Sequence, residues 1–150
     1  MKSFKALLIS GILISIGLET HPSHAEVKTT QVNALVEALR QAAPTQRAKD
    51  GMYSDWQVLP KIIPDWSKRC LGKSLTPEQF DKDKAAARQV VSCIVKRELN
   101  TQTKATPKEE QAVRQVACWW MTGKANECQS GATAAYVNKV LDFYRRQLAS

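Results

Sequence analysis

Four cysteines, Cys70, Cys93, Cys118 and Cys128, constrain what this chain can fold into more than any other feature. An even number with no Cys-x-x-C pair argues for two structural disulfides in an oxidising compartment, and against a zinc cluster or a thioredoxin-type redox site. Four cysteines allow three pairings. Cys118–Cys128 is the favoured close pair, because Thr122-Gly123 between them reads as a helix end and turn, so that the bridge staples two consecutive helices. Cys70–Cys93 then ties a loop to the middle of a long helix. No cysteine is left over to act as a reactive thiol.

The N-terminus agrees with an oxidising destination. Lys2 and Lys5 precede an apolar run from Ala6 to Leu18, and Ser23 and Ala25 place small residues before Glu26. This pattern predicts a signal peptide over 1–25, cleaved to leave a single helical domain over 26–150. A spanning helix needs about 20 apolar residues, and Glu19, His21 and Pro22 end the run too early. The expected location is the periplasm or the extracellular space. The remaining segment is long enough for one domain that buries roughly two-thirds of its surface on folding.

Charge and histidine content narrow the function. The whole chain has 22 Lys plus Arg against 14 Asp plus Glu; without Lys2, Lys5 and Glu19 the balance is 20 to 13, a net charge of +7. Such a balance favours an acidic protein face, an envelope polymer or an anionic membrane surface as partner. The basic residues are scattered among Asp81, Asp83, Glu98 and Asp142 with no polybasic block, so nucleic acid is not expected. Both histidines, His21 and His24, precede the cleavage point. The domain therefore has no imidazole base for a Cys-His or Ser-His-Asp nucleophile and no histidine-ligated metal site. Glycine is too sparse for a phosphate loop. No catalytic residue, metal or cofactor is assigned, and nothing in the sequence fixes an oligomeric state.

Periodicity predicts an all-α fold, a small compact bundle of about four to five helices stapled by the two disulfides. Val32, Leu35, Val36 and Leu39 mark a first helix, capped by Thr29 or Thr30 and ending near Pro44. Residues 53–72 read as irregular, since Pro60 and Pro64 prevent one continuous helix; Ser54 is a cap for a short turn and Pro64 suits the start of another. Thr76-Pro77-Glu78-Gln79 opens a helix running to about Leu99, with Phe80, Ala87, Val91 and Ile94 as its buried stripe. Thr106-Pro107-Lys108-Glu109 repeats that signal for a helix with Val113, Val116, Ala117 and Trp120 on its core face, stopping at Gly123. Ser130 caps a last helix to about Leu148 with two apolar rows, Ala132, Tyr136, Val140 and Phe143 beside Val137, Leu141, Tyr144 and Leu148. No stretch shows strand alternation.

Tyr53, Trp56 and Trp66 form an aromatic group in the proline-broken segment, and Trp119 projects to the side of its helix. Loops on rigid scaffolds often carry binding function, and Trp and Tyr are favoured interface anchors. These four are the candidate binding residues; the competing structural role is that their rings cover an open side of the bundle. On the binding reading, Trp56→Ala and Trp66→Ala weaken partner binding without unfolding the domain. Asp55, Asp65, Glu98 and Glu127 are acid–base candidates by residue type alone, with Asp55 and Asp65 also placed to stabilise helix N-termini.

In general scheme the chain resembles small periplasmic immunity proteins, enzyme inhibitors and acid-stress chaperones, all of them exported helical proteins. No residue motif chooses among these, so no functional residue is carried over. The sequence reading is a non-enzymatic exported binding or accessory protein, with a small carboxylate-dependent peptidoglycan hydrolase as the alternative.

Overall fold

A computed structural model describes residues 26–44 and 51–150; the expected signal peptide over 1–25 lies outside the described residues. The fold is all-α. Its helices are α1 (Thr29–Ala42), α2 (Ile63–Leu71), α3 (Pro77–Lys82), α4 (Lys84–Ala105), α5 (Glu109–Thr122) and α6 (Gly131–Ala149), with a 3₁₀ turn over Pro60–Ile62. No helix among the described residues is long and apolar enough to cross a membrane. Both expected disulfides are present, Cys70–Cys93 with Cα atoms 5.9 Å apart and Cys118–Cys128 with Cα atoms 5.7 Å apart.

α1 packs chiefly against α6 and also against α4, while α5 lies against both α4 and α6, and α2 rests on α4. The core follows from the apolar stripes. Leu35, Val36 and Leu39 of α1 meet Val90, Val91 and Val95 of α4, Val113 and Val116 of α5, and Val140, Leu141 and Tyr144 of α6, all fully buried in one cluster. Polar ties fix α6 on α5. The Tyr144 hydroxyl donates to Glu109 Oε1 at 2.5 Å, and Arg145 makes a two-pronged pair with Glu110 at 2.8 Å on each arm. Burial, reinforced by the Glu109 carboxylate, pushes the Tyr144 phenol well above its ordinary range.

Four local expectations are corrected. The helix expected from Thr76 to Leu99 is two helices. Asp83 leaves helical geometry (φ −93°, ψ 84°) and its carboxylate accepts from the Ala86 N–H at 2.9 Å, so it ends α3 and caps α4, as a short acceptor side chain favours. α4 then runs on to Ala105, and Thr106 is its C-cap rather than the N-cap of α5, whose N-cap is Lys108. At α1 the N-cap is Lys28, with Gln31 Oε1 accepting from the Lys28 N–H at 2.8 Å, in place of Thr29 or Thr30. The apolar face of α6 is narrower than expected: Tyr136 and Phe143 are half-buried, and Ala132 and Leu148 are exposed.

Segment 53–58 is a tight loop closed by paired backbone hydrogen bonds between Tyr53 and Val58, at 2.9 and 2.8 Å. Ser54 and Gln57 both take left-handed conformations, φ 64° and 53°. The Ser54 N–H donates to Asp81 Oδ1 at 2.7 Å, which docks the loop on α3. Asp55 thus sits in this loop near Lys84, whereas Asp65 does occupy the first turn of a helix, where it pairs with Arg69.

Glu37 of α1 gives the fold an acid sensitivity. Its carboxylate accepts from Arg40 Nε at 3.0 Å and from Gln41 at 3.0 Å, and faces Arg88 of α4 at 3.6 Å. Hydrogen bonding from Arg40 leads the causes that hold its pKa at about 2, against an ordinary 4.5. A lowered folded-state pKa stabilises the fold above the unfolded value, and that stabilisation is lost as pH falls from about 4.5 towards 2. With solvent screening it is worth about 1 kcal/mol. Urea midpoints measured across this window should fall more steeply for the natural protein than for Glu37→Gln; parallel profiles would remove Glu37 as a source of the acid response.

Candidate functional site

Three tryptophans from two helices meet at one end of the bundle. α2 presents Trp66 one turn before Cys70, and the last turn of α5 presents Trp119 and Trp120 directly after Cys118. Trp66 stacks on Trp119 with centroids 6.2 Å apart and planes 18° from parallel, and meets Trp120 at 5.6 Å; Trp119 and Trp120 contact edge to face at 6.3 Å. All three are half-buried. Each disulfide therefore anchors one wall of the aromatic cluster, Cys70–Cys93 holding α2 and Cys118–Cys128 holding the end of α5.

The cluster opens into a groove of about 570 Å³ whose wall also includes Tyr136 of α6 and residues of the 52–59 loop. Large side chains stay exposed along it, Met52 at 40%, Leu59 at 42% and Met121 at 46%. These are three of the four exposed large hydrophobic residues among the described residues, the fourth being Leu148, so the large exposed apolar side chains of the described residues are concentrated on one surface. Concentration of this kind marks interaction sites, whereas single scattered apolar residues do not. One charged residue, Lys61, lines the groove, and no carboxylate does. Burial pushes the Tyr136 phenol above its ordinary range, and the one charged residue of the lining is Lys61.

The four binding candidates occupy different settings. Trp66 and Trp119 come together as described. Trp56 borders the same groove but is 4% exposed, and its indole N–H donates to the Val36 carbonyl at 2.7 Å. It is a core residue whose edge forms the groove floor, so Trp56→Ala is no longer expected to spare the fold. Tyr53 lies outside the groove lining; it is half-buried and its hydroxyl reaches Glu78 at 3.4 Å. Trp120, expected on the core face of α5, is a half-buried groove residue.

Trp120, Met121, Met52, Leu59 and Tyr136 were not singled out as binding residues. A signal for two of them was present: successive helical residues point about 100° apart, so Trp119, Trp120 and Met121 cannot all face one core. The acid–base candidates are scattered. Asp65 and Glu127 are exposed and paired with Arg69 and Lys124, Glu98 is hydrogen-bonded by Gln102 at 2.6 Å, and neither they nor Asp55 line the groove. Among the described residues no cluster of His, Cys, Asp or Glu could hold a metal ion. Comparison with protein-family models, curated proteins and solved structures finds no match to this chain.

Proposed function

We propose that this is an exported, non-enzymatic binding protein that docks an acidic protein partner through the tryptophan groove. The observation that supports the reading is the grouping of exposed Met52, Leu59 and Met121 around Trp66 and Trp119, with Lys61 as the one charged lining residue. The fitting partner segment presents an apolar side chain to the rings and a carboxylate to Lys61. The net charge of +7 over 26–150 favours encounter with such a surface. The rings lie against one another at 5.6–6.3 Å, not around an open centre, so the cluster suits a flat apolar contact better than a caged cation. The hydrolase alternative has no comparable support, since the groove offers no carboxylate.

Tagged protein recovered from the envelope fraction should migrate in a larger assembly. Met121→Glu and Leu59→Glu change exposed positions and should shift stability by no more than about 0.5 kcal/mol. They should nevertheless reduce partner recovery about tenfold or more, as charge placed at an interface anchor does. Recovery that is undiminished in both variants, or a natural protein that migrates alone, overturns the docking assignment; clearing of purified peptidoglycan by the oxidised protein would favour the hydrolase.

A further inference from the structure

A second cleft, of about 360 Å³, lies on another face of α5. Its character is the opposite of the aromatic groove. Gln111, Arg114, Gln115 and Cys118 recur at the i, i+3, i+4, i+7 spacing that places them on one helix face. α6 supplies Asn138 across from them, and the segment between the helices, pinned by Cys118–Cys128, supplies Asn126 and Gln129. Five primary amides and one guanidinium thus converge on one cleft, with no carboxylate in its lining.

The hydrogen bonds already present decide which amide atoms remain available. Arg114 Nη1 donates to Asn138 Oδ1 at 2.7 Å, Gln115 Nε2 to Asn126 Oδ1 at 3.2 Å, Gln129 Nε2 to the Asn126 carbonyl at 2.9 Å, and Thr106 Oγ1 to Gln111 Oε1 at 3.2 Å. The side-chain oxygens of both asparagines and of Gln111 thus already accept one hydrogen bond each, whereas their NH₂ groups, with the rest of the Arg114 fork, donate to nothing else among the described residues and are the donors left for a ligand. The complementary acceptors are Gln129 Oε1 and Gln115 Oε1. The latter is shielded from solvent and without a partner among the described residues, so a buried acceptor is left unsatisfied. A turn about the soft terminal torsion of Gln115 offers it to the cleft at the loss of the Gln115 Nε2 bond to Asn126, whereas Gln129 Oε1 needs no such exchange.

We propose that this cleft binds the free C-terminus of a peptide. The donors and the Arg114 charge suit the terminal carboxylate, the Gln115 or Gln129 carbonyl suits the last peptide N–H, and Ala134 and Val137 with the cystine form a floor for a small side chain. The lining holds no aromatic ring on which a sugar could stack. The volume lies at the lower end of the roughly 300–1,000 Å³ of ligand clefts, in keeping with a chain end rather than a whole domain.

The test uses the oxidised, exported protein with acetyl-Ala-Ala-Ala bearing either a free or an amidated C-terminus, followed by side-chain amide NMR signals. The free acid should shift the NH₂ signals of Gln111, Asn126 and Asn138. Amidation, Arg114→Gln and Asn138→Asp should each weaken binding about tenfold or more, while Trp119→Ala in the separate groove leaves it unchanged. Equal shifts with the amidated peptide, or no shift in these signals, overturns the proposal; glucuronate binding as tightly as the peptide overturns the assignment to a peptide end.

Discussion

Reduction of both disulfides should cost this fold about 6 kcal/mol and abolish its tertiary structure at 37 °C, since each bridge contributes about 3 kcal/mol by loop closure. The bridges span 23 and 10 residues, so Cys70–Cys93 is worth slightly more than Cys118–Cys128. Their sum falls within the 5–15 kcal/mol that is the whole stability of an ordinary domain. The loss also has a local signature. Trp66 lies one turn from Cys70 and Trp119 adjoins Cys118, so the two bridges fix the rings that stack at 6.2 Å. Near-UV circular dichroism should therefore collapse on reduction even where far-UV helix signal survives. Paired variants separate the contributions: Cys70→Ala with Cys93→Ala, and Cys118→Ala with Cys128→Ala, should each lose about 3 kcal/mol in urea unfolding. A reduced protein that keeps its urea midpoint and its near-UV spectrum would show that helix packing alone carries the fold.

The parts of this architecture that were legible in the sequence are those set by strong local chemistry. The stripe from Phe80 through Ile94 is buried as its spacing predicts, and Gly123 ends α5 in the left-handed conformation that glycine accepts readily. The Cys118–Cys128 pairing was readable because a helix stop lies between the two residues. What escaped was decided by competition between signals. Thr106-Pro107 resembles a helix start, yet the longer α4 claims Thr106 because its backbone N–H still reaches the Gln102 carbonyl at 2.9 Å. Asp83 lay inside an apolar-periodic run, where its capping preference was outweighed by the stripe on either side. The groove was half legible: aromatic residues in a proline-broken segment pointed to a surface, but contact between Trp66 and α5 is tertiary, and no sequence period encodes it. The amide cleft left a local trace, the spacing of Gln111, Arg114, Gln115 and Cys118, but its other wall, from Asn126 to Asn138, meets α5 through tertiary contact that no helical period encodes.

Trp56 separates the two meanings that an aromatic residue in a loop can have, and Trp56→Ala should destabilise the fold by about 3–5 kcal/mol, the cost of emptying a large buried site. Its ring is 4% exposed within the main core cluster, and its N–H is satisfied by Val36 of α1 at 2.7 Å. The same ring holds its loop in place. Left-handed backbone at Ser54 and Gln57 costs of order 1 kcal/mol at each residue and persists only where surrounding contacts over-determine it. Here those contacts are the Trp56 ring beneath the loop, the Tyr53–Val58 pair at its base and the Asp81 carboxylate on the Ser54 N–H. Trp56→Phe keeps most of the buried apolar area and loses the Val36 hydrogen bond, so its cost should be smaller, about 1–2 kcal/mol. Trp119→Ala, at a half-buried groove position, should cost less than Trp56→Ala while removing a face from the docking surface. Urea unfolding followed by far-UV circular dichroism, which does not depend on the substituted chromophore, ranks the three. If Trp56→Ala unfolds with the natural midpoint and weakens partner recovery as Met121→Glu does, Trp56 belongs to the docking surface and the loop is held by its polar contacts alone. If it unfolds early, the loop is part of the core, and the groove's recognition chemistry is confined to Trp66, Trp119, Trp120 and the exposed residues around them.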